Sequence, residues 1–174
     1  LRINPYLEFS TIFAQGRTGL SGETYAFSRD GVLISESRFS EQLVNIGLIK
    51  AGQDSTLNIN ILDPGRNLLK APLAKTESGW PLTLMAQEAT KGRAGTVLQP
   101  YRDYRGVPVV GTWRWDDVLG LGIATEIDSD EAYAAMDSSI LTICIFAFAI
   151  AVLIVTLGVY QEQARRRARR HRQA

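Results

Sequence analysis

The sequence predicts an α+β domain of about 135 residues, followed by one transmembrane helix and a short basic tail. Two observations lead to this prediction. Residues 138–161 contain no charged side chain, and an apolar run of about 20 residues can cross a hydrocarbon core about 30 Å thick. Before that run, short segments of helical and of strand-like periodicity follow one another. We therefore divide the chain into residues 1–137, 138–161 and 162–174.

The domain is predicted to begin with a helix over residues 5–15, followed by a turn-rich connector over residues 16–22. The helix has a proline near its start and a glycine at its end. Its apolar residues have helical spacing: Leu7, Phe9, Ile12 and Phe13. A β-hairpin is predicted next, within residues 24–37, because Asp30-Gly31 separates two apolar runs and glycine takes positive φ without penalty.

The middle of the domain is predicted to be a crossover of mixed structure. Residues 40–50 have the apolar pattern of a short helix, and residues 57–61 alternate apolar and polar side chains, as a strand does. Residues 66–80 show neither pattern and are predicted to be a long surface loop. Residues 81–91 are predicted to be helical, with a proline in the first turn and a glycine just past the end.

Three more strands and a helix complete the predicted domain. The strands cover residues 95–101, 107–115 and 121–127, and a turn over residues 103–106 joins the first two. Acidic residues at positions 128 and 130 favour the positive N-terminal end of a helix. We expect that helix to continue towards the membrane.

Three segments resemble blocks of extracytoplasmic Cache domains: GETYAFSRDGVLISESR (residues 22–38), YRDYRGVPVVGTWRW (residues 101–115) and LGLGIATEIDSDEA (residues 119–132). They are similar to the first hairpin, the central hairpin and the final strand of such domains. The resemblance implies a PAS-like Cache lobe, in which an antiparallel sheet is flanked by helices. It also implies an extracellular sensor, commonly the input of a chemoreceptor, kinase or nucleotide cyclase. With one short helix before it, the lobe resembles the membrane-proximal half of a double-Cache sensor.

The resemblance also implies candidate ligand contacts, because Cache pockets are lined by the sheet and its crossover loop, where aromatic and charged side chains converge. The candidates are Tyr25, Arg38, Tyr101, Trp113 and Arg114. The alternative is a purely structural role for these aromatic residues. In that interpretation Tyr25 and one of Trp113 or Trp115 belong to the core, since strand neighbours point to opposite faces.

The charge distribution predicts how the chain is oriented. The whole chain carries +1, and six arginines against one glutamate give the tail +5, so the remainder carries −4. Arginine beside a span marks the cytoplasmic side, which places residues 1–137 in the periplasm if the membrane is a bacterial inner membrane. We expect a segment before Leu1, or the span itself, to direct export. The arginines are expected to contact anionic lipid headgroups, rather than nucleic acid: Arg165, Arg166, Arg167, Arg169, Arg170 and Arg172.

The span carries a pattern of small residues that favours contact with another helix, either of a second copy or of another membrane subunit. Small side chains let helix backbones approach closely in lipid. The residues have spacings of three, four and seven: Cys144, Ala147, Ala151 and Gly158. Chance in an alanine-rich span is the alternative explanation.

The sequence argues against an enzyme. His171, the one histidine, lies in the tail, and Cys144, the one cysteine, lies in the span, so the domain lacks the base of a Ser/His or Cys/His pair. No residues have metal-ligand spacing, and we expect no cofactor. Residues 16–22 lack the Gly-Lys-Ser/Thr ending of a phosphate loop. The acidic residues at positions 116, 117, 128, 130 and 131 fit either a cation site or a turn and a helix start.

Two functions follow from these features. The first is a membrane-anchored extracytoplasmic sensor that binds a small ligand or partner and signals through its transmembrane helix. The second is a non-catalytic accessory subunit of a larger photosynthetic or respiratory membrane complex, with the lobe used as a scaffold. The single anchor and the small-residue face of the span motivate the second.

Overall fold

The computed structural model describes residues 5–73 and 79–171, with side-chain surroundings for residues 10–73, 79–134 and 139–162. The chain forms two compact units, the first extending to Ala132 and the second beginning at Tyr133. The predicted fold class is confirmed: an α+β lobe with an antiparallel sheet flanked by helices, and one long apolar C-terminal helix.

The elements alternate much as the periodicity predicted. The helices are α1 (Pro5–Ala14), α2 (Ser40–Asn45), α3 (Leu84–Ala89) and α4 (Ser129–His171). The strands are β1 (Glu23–Phe27), β2 (Gly95–Arg102), β3 (Pro108–Asp116) and β4 (Leu121–Asp128). Within the described residues they form one antiparallel sheet in the order β1-β4-β3-β2.

One face of the sheet, here called the inner face, carries the core. Ala124 of β4 lies opposite Tyr25 of β1 on one side and opposite Trp113 of β3 on the other. Because strand side chains alternate, these three residues share a face. They pack with buried residues of the crossover and of α3: Leu33, Leu43, Ile46, Ile59, Ile61, Leu68, Met85, Ala86 and Ala89.

The opposite face, here called the outer face, carries a row of threonines. Thr24, Thr125, Thr112 and Thr96 lie side by side across β1, β4, β3 and β2. Thr24 and Thr125 share a hydrogen bond of 2.9 Å between their hydroxyls, and Thr96 donates to Thr112 at 3.0 Å. These hydroxyl contacts therefore link β1 to β4 and β2 to β3 on the side away from the core.

The crossover differs from the prediction because its polar backbone groups are satisfied by turns and single bridges. Residues 57–61 do not form a strand: Leu57 has a φ of 61°, and Asn60 pairs only with Val32. The apolar alternation there reflects burial of Ile59 and Ile61 rather than strand pairing. The second arm of the predicted hairpin is likewise reduced to the bridge between Leu33 and Phe27.

Two helices are shorter than predicted. The helix predicted over residues 40–50 ends at Asn45, and Gly47 then has a φ of 84°. The helix predicted over residues 81–91 begins at Leu84, because Thr83 caps it by accepting a hydrogen bond from the N–H of Ala86 at 3.4 Å.

Helix α4 starts directly after β4 and runs for 43 residues. Its segment Ser129–Glu162 has a mean hydropathy of 3.0 in its most apolar stretch, and this segment is long and apolar enough to cross a membrane. The described side chains over residues 139–162 are exposed, as expected for a surface that lipid or another helix covers.

Candidate functional site

The inner face of the sheet carries two buried glutamates. Glu23 of β1 and Glu126 of β4 are register partners, so their side chains leave the same face at neighbouring positions. They are 3 % and 4 % exposed. Like charges placed directly opposite one another in a sheet are destabilising, so the groups around this pair decide how it is tolerated.

Glu126 is held by two tyrosine hydroxyls. Tyr25 donates to Glu126 Oε2 and Tyr101 donates to Glu126 Oε1, each at 2.7 Å. Tyr25 belongs to β1 and Tyr101 to β2, which are the two edge strands of the described sheet. The carboxyl group thus links both edges across the middle of the sheet.

Glu23 is held by the turn before β3 and by the segment before α2. Tyr104 donates to Glu23 Oε2 at 2.6 Å, and Ser37 and the backbone N–H of Arg38 donate to Glu23 Oε1 at 2.9 and 2.6 Å. Tyr25 and Tyr104 contact each other edge to face, with ring centroids 5.8 Å apart. We call these two carboxyl groups with Tyr25, Tyr101, Tyr104 and Ser37 the acid–tyrosine network.

Arg105 is the buried cation beside this network, and it is 1 % exposed. Its guanidinium donates to Asp103 and to Asp128, each at 2.7 Å, and to Gln42 at 2.9 Å. The guanidinium also lies 3.5 Å from the ring centroid of Phe39, a cation–π contact. Since Asp128 is the last residue of β4, Arg105 connects the core to the start of α4.

Burial dominates the proton affinities in this region. It raises the pKa of Glu126 to about 7; Asp103 adds to the rise, whereas the hydroxyls of Tyr101 and Tyr25 oppose it. Burial also raises the pKa of Glu23 and of Asp103. The pKa values of the three tyrosines rise for the same reason, so their hydroxyls remain donors.

A second set of contacts holds the first turn of α4, and we call it the α4 clasp. Glu131 accepts hydrogen bonds from the N–H groups of Leu20 and Ser21, each at 2.7 Å, and from the Ser21 hydroxyl. Ser21 Oγ also accepts the N–H of Asp128 at 3.1 Å. Bonding by Ser21 lowers the pKa of Glu131. The connector predicted over residues 16–22 therefore binds a carboxylate of the same chain.

Arg38 closes the connector from the other side. Its guanidinium donates to the carbonyl oxygen of Gly22, and to those of Thr18 and Gly19 at 3.4 Å. Because the N–H of Arg38 also bonds Glu23, this residue lies between the acid–tyrosine network and the α4 clasp.

Three of the five acidic residues considered as a cation site bind groups of the protein. Asp116 Oδ1 accepts the N–H groups of Val118 and Leu119 at 3.0 Å, which closes the turn between β3 and β4. Asp128 binds Arg105, and Glu131 belongs to the α4 clasp. Within the described residues no group of three or more His, Cys, Asp or Glu side chains could hold a metal ion.

Two adjoining clefts open in the crossover, and both are lined by Leu48 and Trp80. The smaller, of about 140 Å³, reaches Tyr104. The larger, of about 280 Å³, is lined by Lys50 and Gln53 as well. Ligand pockets usually measure about 300–1,000 Å³, so these clefts suit only a small molecule.

The five predicted ligand contacts do not form one site. Tyr25, Tyr101 and Trp113 are buried on the inner face, and the rings of Tyr101 and Trp113 meet edge to face at 6.3 Å. The Arg38 side chain contacts the connector, and Arg114 is exposed on the outer face. Arg114 differs from Trp113 because strand neighbours point to opposite faces.

Both tryptophans of β3 are buried. The alternative of a purely structural role had predicted that only one of Trp113 and Trp115 belongs to the core. Trp113 and Trp115 are 6 % and 8 % exposed, because residues two apart on a strand share a face. Neither indole N–H has an acceptor among the described residues.

The outer face is uncovered over much of β2, β3 and β4. A shallow trough of about 510 Å³ there is lined by Thr96, Thr112, Arg114, Ile123 and Thr125, among others. Next to it, Leu98 is exposed on β2. The trough offers hydroxyl and methyl groups with one arginine, rather than a closed pocket.

The residues predicted for the membrane region lie in α4. The four small residues are exposed there: Cys144, Ala147, Ala151 and Gly158. Helix contact through this face stays a prediction. Five arginines lie in the last turns of α4, and Arg172 lies outside the described residues: Arg165, Arg166, Arg167, Arg169 and Arg170.

Sequence reasoning missed the acids and the buried arginine of the site. Glu23 and Glu126 have the same strand parity as the inward Tyr25 and Ala124, and a glutamate at an inward position was the available signal. Arg105 and Glu131 gave no comparable signal, since both lie at turns or helix starts, where charge is common.

The chain was compared with protein families, curated proteins and solved structures. Neither the models of known protein families nor the sequences of curated proteins match this chain. Among solved structures, the chain is similar to the extracellular domain of a protein described as a histidine kinase, mmHK1S-Z3. The two are 14 % identical with a TM-score of 0.41, over 74 % of this chain. The chain spans about 38 % of the length of that domain.

Proposed function

We propose that this chain is a membrane-anchored sensor module, whose lobe lies outside the membrane and passes a change in its core to α4. The observation that carries the proposal is that two separate sets of contacts fix the start of α4. Arg105 binds Asp128 from the core, and the connector binds Glu131. A rearrangement at either contact acts directly on the first turn of the apolar helix.

The proposed ligand is a small carboxylate, such as an amino acid or a short-chain acid. The clefts at Trp80 offer an aromatic wall, the ammonium of Lys50 and the amides of Gln53, Asn58 and Asn60. This mixture of apolar wall and few polar groups is typical of a ligand site. Tyr104 lines the smaller cleft and donates to Glu23, which provides a route from ligand to core.

Under the same proposal, the lobe is periplasmic in a bacterial inner membrane, and the arginine tail is cytoplasmic. The chain carries out no catalysis and needs no cofactor. Its partners are anionic lipid at the tail and a second helix at the small-residue face of α4.

A binding screen tests the ligand. The full chain in detergent is heated with single amino acids and short carboxylic acids, and the unfolding temperature is followed by tryptophan fluorescence. A ligand at about 100 times its Kd stabilises the fold by about 2.7 kcal/mol. Lys50→Gln should weaken binding at least about tenfold, whereas Lys70→Gln, at an exposed position away from the clefts, should not. Equal binding by both variants would rule out this cleft.

The second candidate function is a scaffold subunit of a larger membrane complex. It is favoured by an inner face filled with its own hydrogen-bonded side chains and by an uncovered outer face. Purification in mild detergent from cells that make the protein separates the two. A fixed set of cofactor-bearing partners supports the scaffold, whereas a free chain or a homodimer supports the sensor.

A further inference from the structure

Among the described residues, the two buried glutamates have no ion partner of their own. Their oxygens accept hydrogen bonds from tyrosine and serine hydroxyls and from the N–H of Arg38, which are neutral donors. The guanidinium of Arg105 is already engaged by Asp103 and Asp128. The cluster therefore contains more carboxylates than cations.

This imbalance is costly if every acid is ionised. A buried charge needs a partner of opposite sign, and two neighbouring carboxylates that share a site do not both ionise readily. Register pairing places Glu23 and Glu126 at adjacent positions of one face. One proton on the pair removes the repulsion between two charges, and the protonated carboxyl group can still take part in hydrogen bonds, because it both donates and accepts.

We propose that Glu23 and Glu126 form a proton-binding site in the core, and that release of its proton alters the hold of the lobe on α4. The proposal rests on the sensor function proposed above and names a proton as a second signal. Glu126 lies two residues before Asp128 on the same face of β4, so a shift of Glu126 acts on the Arg105–Asp128 ion pair.

The surroundings of the pair favour a carboxyl pKa near neutral pH. Burial raises the pKa of Glu126 to about 7 and also raises the pKa of Glu23. Helix α3 presents apolar side chains to the core, namely Met85, Ala86 and Ala89. The titratable and charged groups facing the pair are Tyr25 from β1, Tyr101 from β2, and Asp103, Tyr104 and Arg105 from the turn before β3. Arg38, before α2, contributes only its backbone N–H, and Asp128 of β4 binds Arg105.

Titration of the full chain tests the site. With ¹³C-labelled glutamate in a detergent or nanodisc sample, the carboxyl carbons are followed by NMR from about pH 4 to about pH 9. Wild type should show one glutamate titrating near pH 7, and Glu126→Gln should lose that step. The control Glu36→Gln, at an exposed position, should keep it. Absence of any glutamate titrating between about pH 6 and about pH 8 in wild type overturns the proposal.

A second variant covers the case in which Glu126→Gln does not fold. The hydroxyl of Tyr101 lowers the pKa of Glu126, so Tyr101→Phe should move the titration midpoint up by about one unit. An unchanged or lower midpoint contradicts the assignment to Glu126.

A spin label on Cys144 separates this site from the sensor function. If the glutamate titrates and the label spectrum changes over the same pH range, both proposals stand. If the glutamate titrates and the label does not respond, the proton site has no link to α4 and this inference is overturned. If no glutamate titrates but a cleft ligand still moves the label, the sensor function survives alone.

Discussion

At the scale of single residues, Arg105 is the side chain on which the polar core depends. It is buried, it binds Asp103 and Asp128, and it lies over the ring of Phe39. A buried ion pair is weak evidence for stability, but removal of one partner leaves an uncompensated charge. The exposed pair of Arg102 with Asp63 has similar distances, yet water screens it.

Arg105→Met should therefore destabilise the lobe by about 3–5 kcal/mol. The matched Arg102→Met should cost at most about 1 kcal/mol. Urea unfolding of the full chain in detergent, followed by tryptophan fluorescence, measures both. Equal losses in the two variants would show that burial of Arg105 confers no special role.

A single residue, Glu126, should also make the stability of the lobe depend on pH. Glu126 has a folded pKa of about 7, above its ordinary value of 4.5, so the folded chain binds more protons than the unfolded chain between these two values. The free energy of unfolding should then fall as pH rises from about 5 through about 7, by on the order of 3 kcal/mol. Glu126→Gln should reduce this pH dependence of the free energy of unfolding. Urea unfolding at several pH values measures it for both chains. A wild type that becomes more stable as pH rises over this range would contradict the prediction.

At the scale of elements, the connector and the start of α4 form one joint. Glu131 fills the space beside Gly19, where an added Cβ would lie 2.2 Å from Glu131 Oε1. Gly19 also has a φ of 55°, which other residues adopt at a cost. The glycine at position 19 of the connector therefore follows from its contact with Glu131.

Glu131→Gln should loosen this joint without unfolding the lobe. The amides of Leu20 and Ser21 lose a charged acceptor, so their hydrogen exchange should accelerate on the order of tenfold. Asp130→Asn, one position earlier and exposed, is the control and should leave both rates unchanged. Unaltered exchange in Glu131→Gln would mean that the contact does not protect these amides.

The sequence predicted the elements with strong periodicity and missed those decided by distant contacts. Strands β2, β3 and β4 lie within about one residue of the prediction, because their inward side chains are more buried than most of their outward neighbours. Residues 57–61 alternate too, but they face the core as irregular backbone. The candidate site was only partly predictable: Tyr25 and Tyr101 were named as aromatic residues, whereas their partner Glu126 depends on strand register, which local pattern does not reveal.

At the scale of the whole molecule, orientation across the membrane is the property that every proposed role requires. The arginines after the span predict a cytoplasmic tail. The turn between β3 and β4 provides a marker for the lobe, because Val118 is 94 % exposed there.

Cysteine labelling of intact cells checks this orientation. In a Cys144→Ser background, Val118→Cys should react with a membrane-impermeant maleimide, and Ala168→Cys should react only after permeabilisation. The Cys144→Ser chain without an added cysteine gives the background. The reverse pattern would place the lobe in the cytoplasm and remove the basis for an extracytoplasmic sensor.

The direct passage from Asp128, the end of β4, to Ser129, the start of α4, has a geometric consequence. Within a helix, each residue turns the chain by about 100°. One alanine inserted after Ala132 would therefore rotate the downstream small-residue face by roughly that angle, while seven would return it almost to its original azimuth. Residue count within α4 therefore decides on which side of this helix the small residues lie.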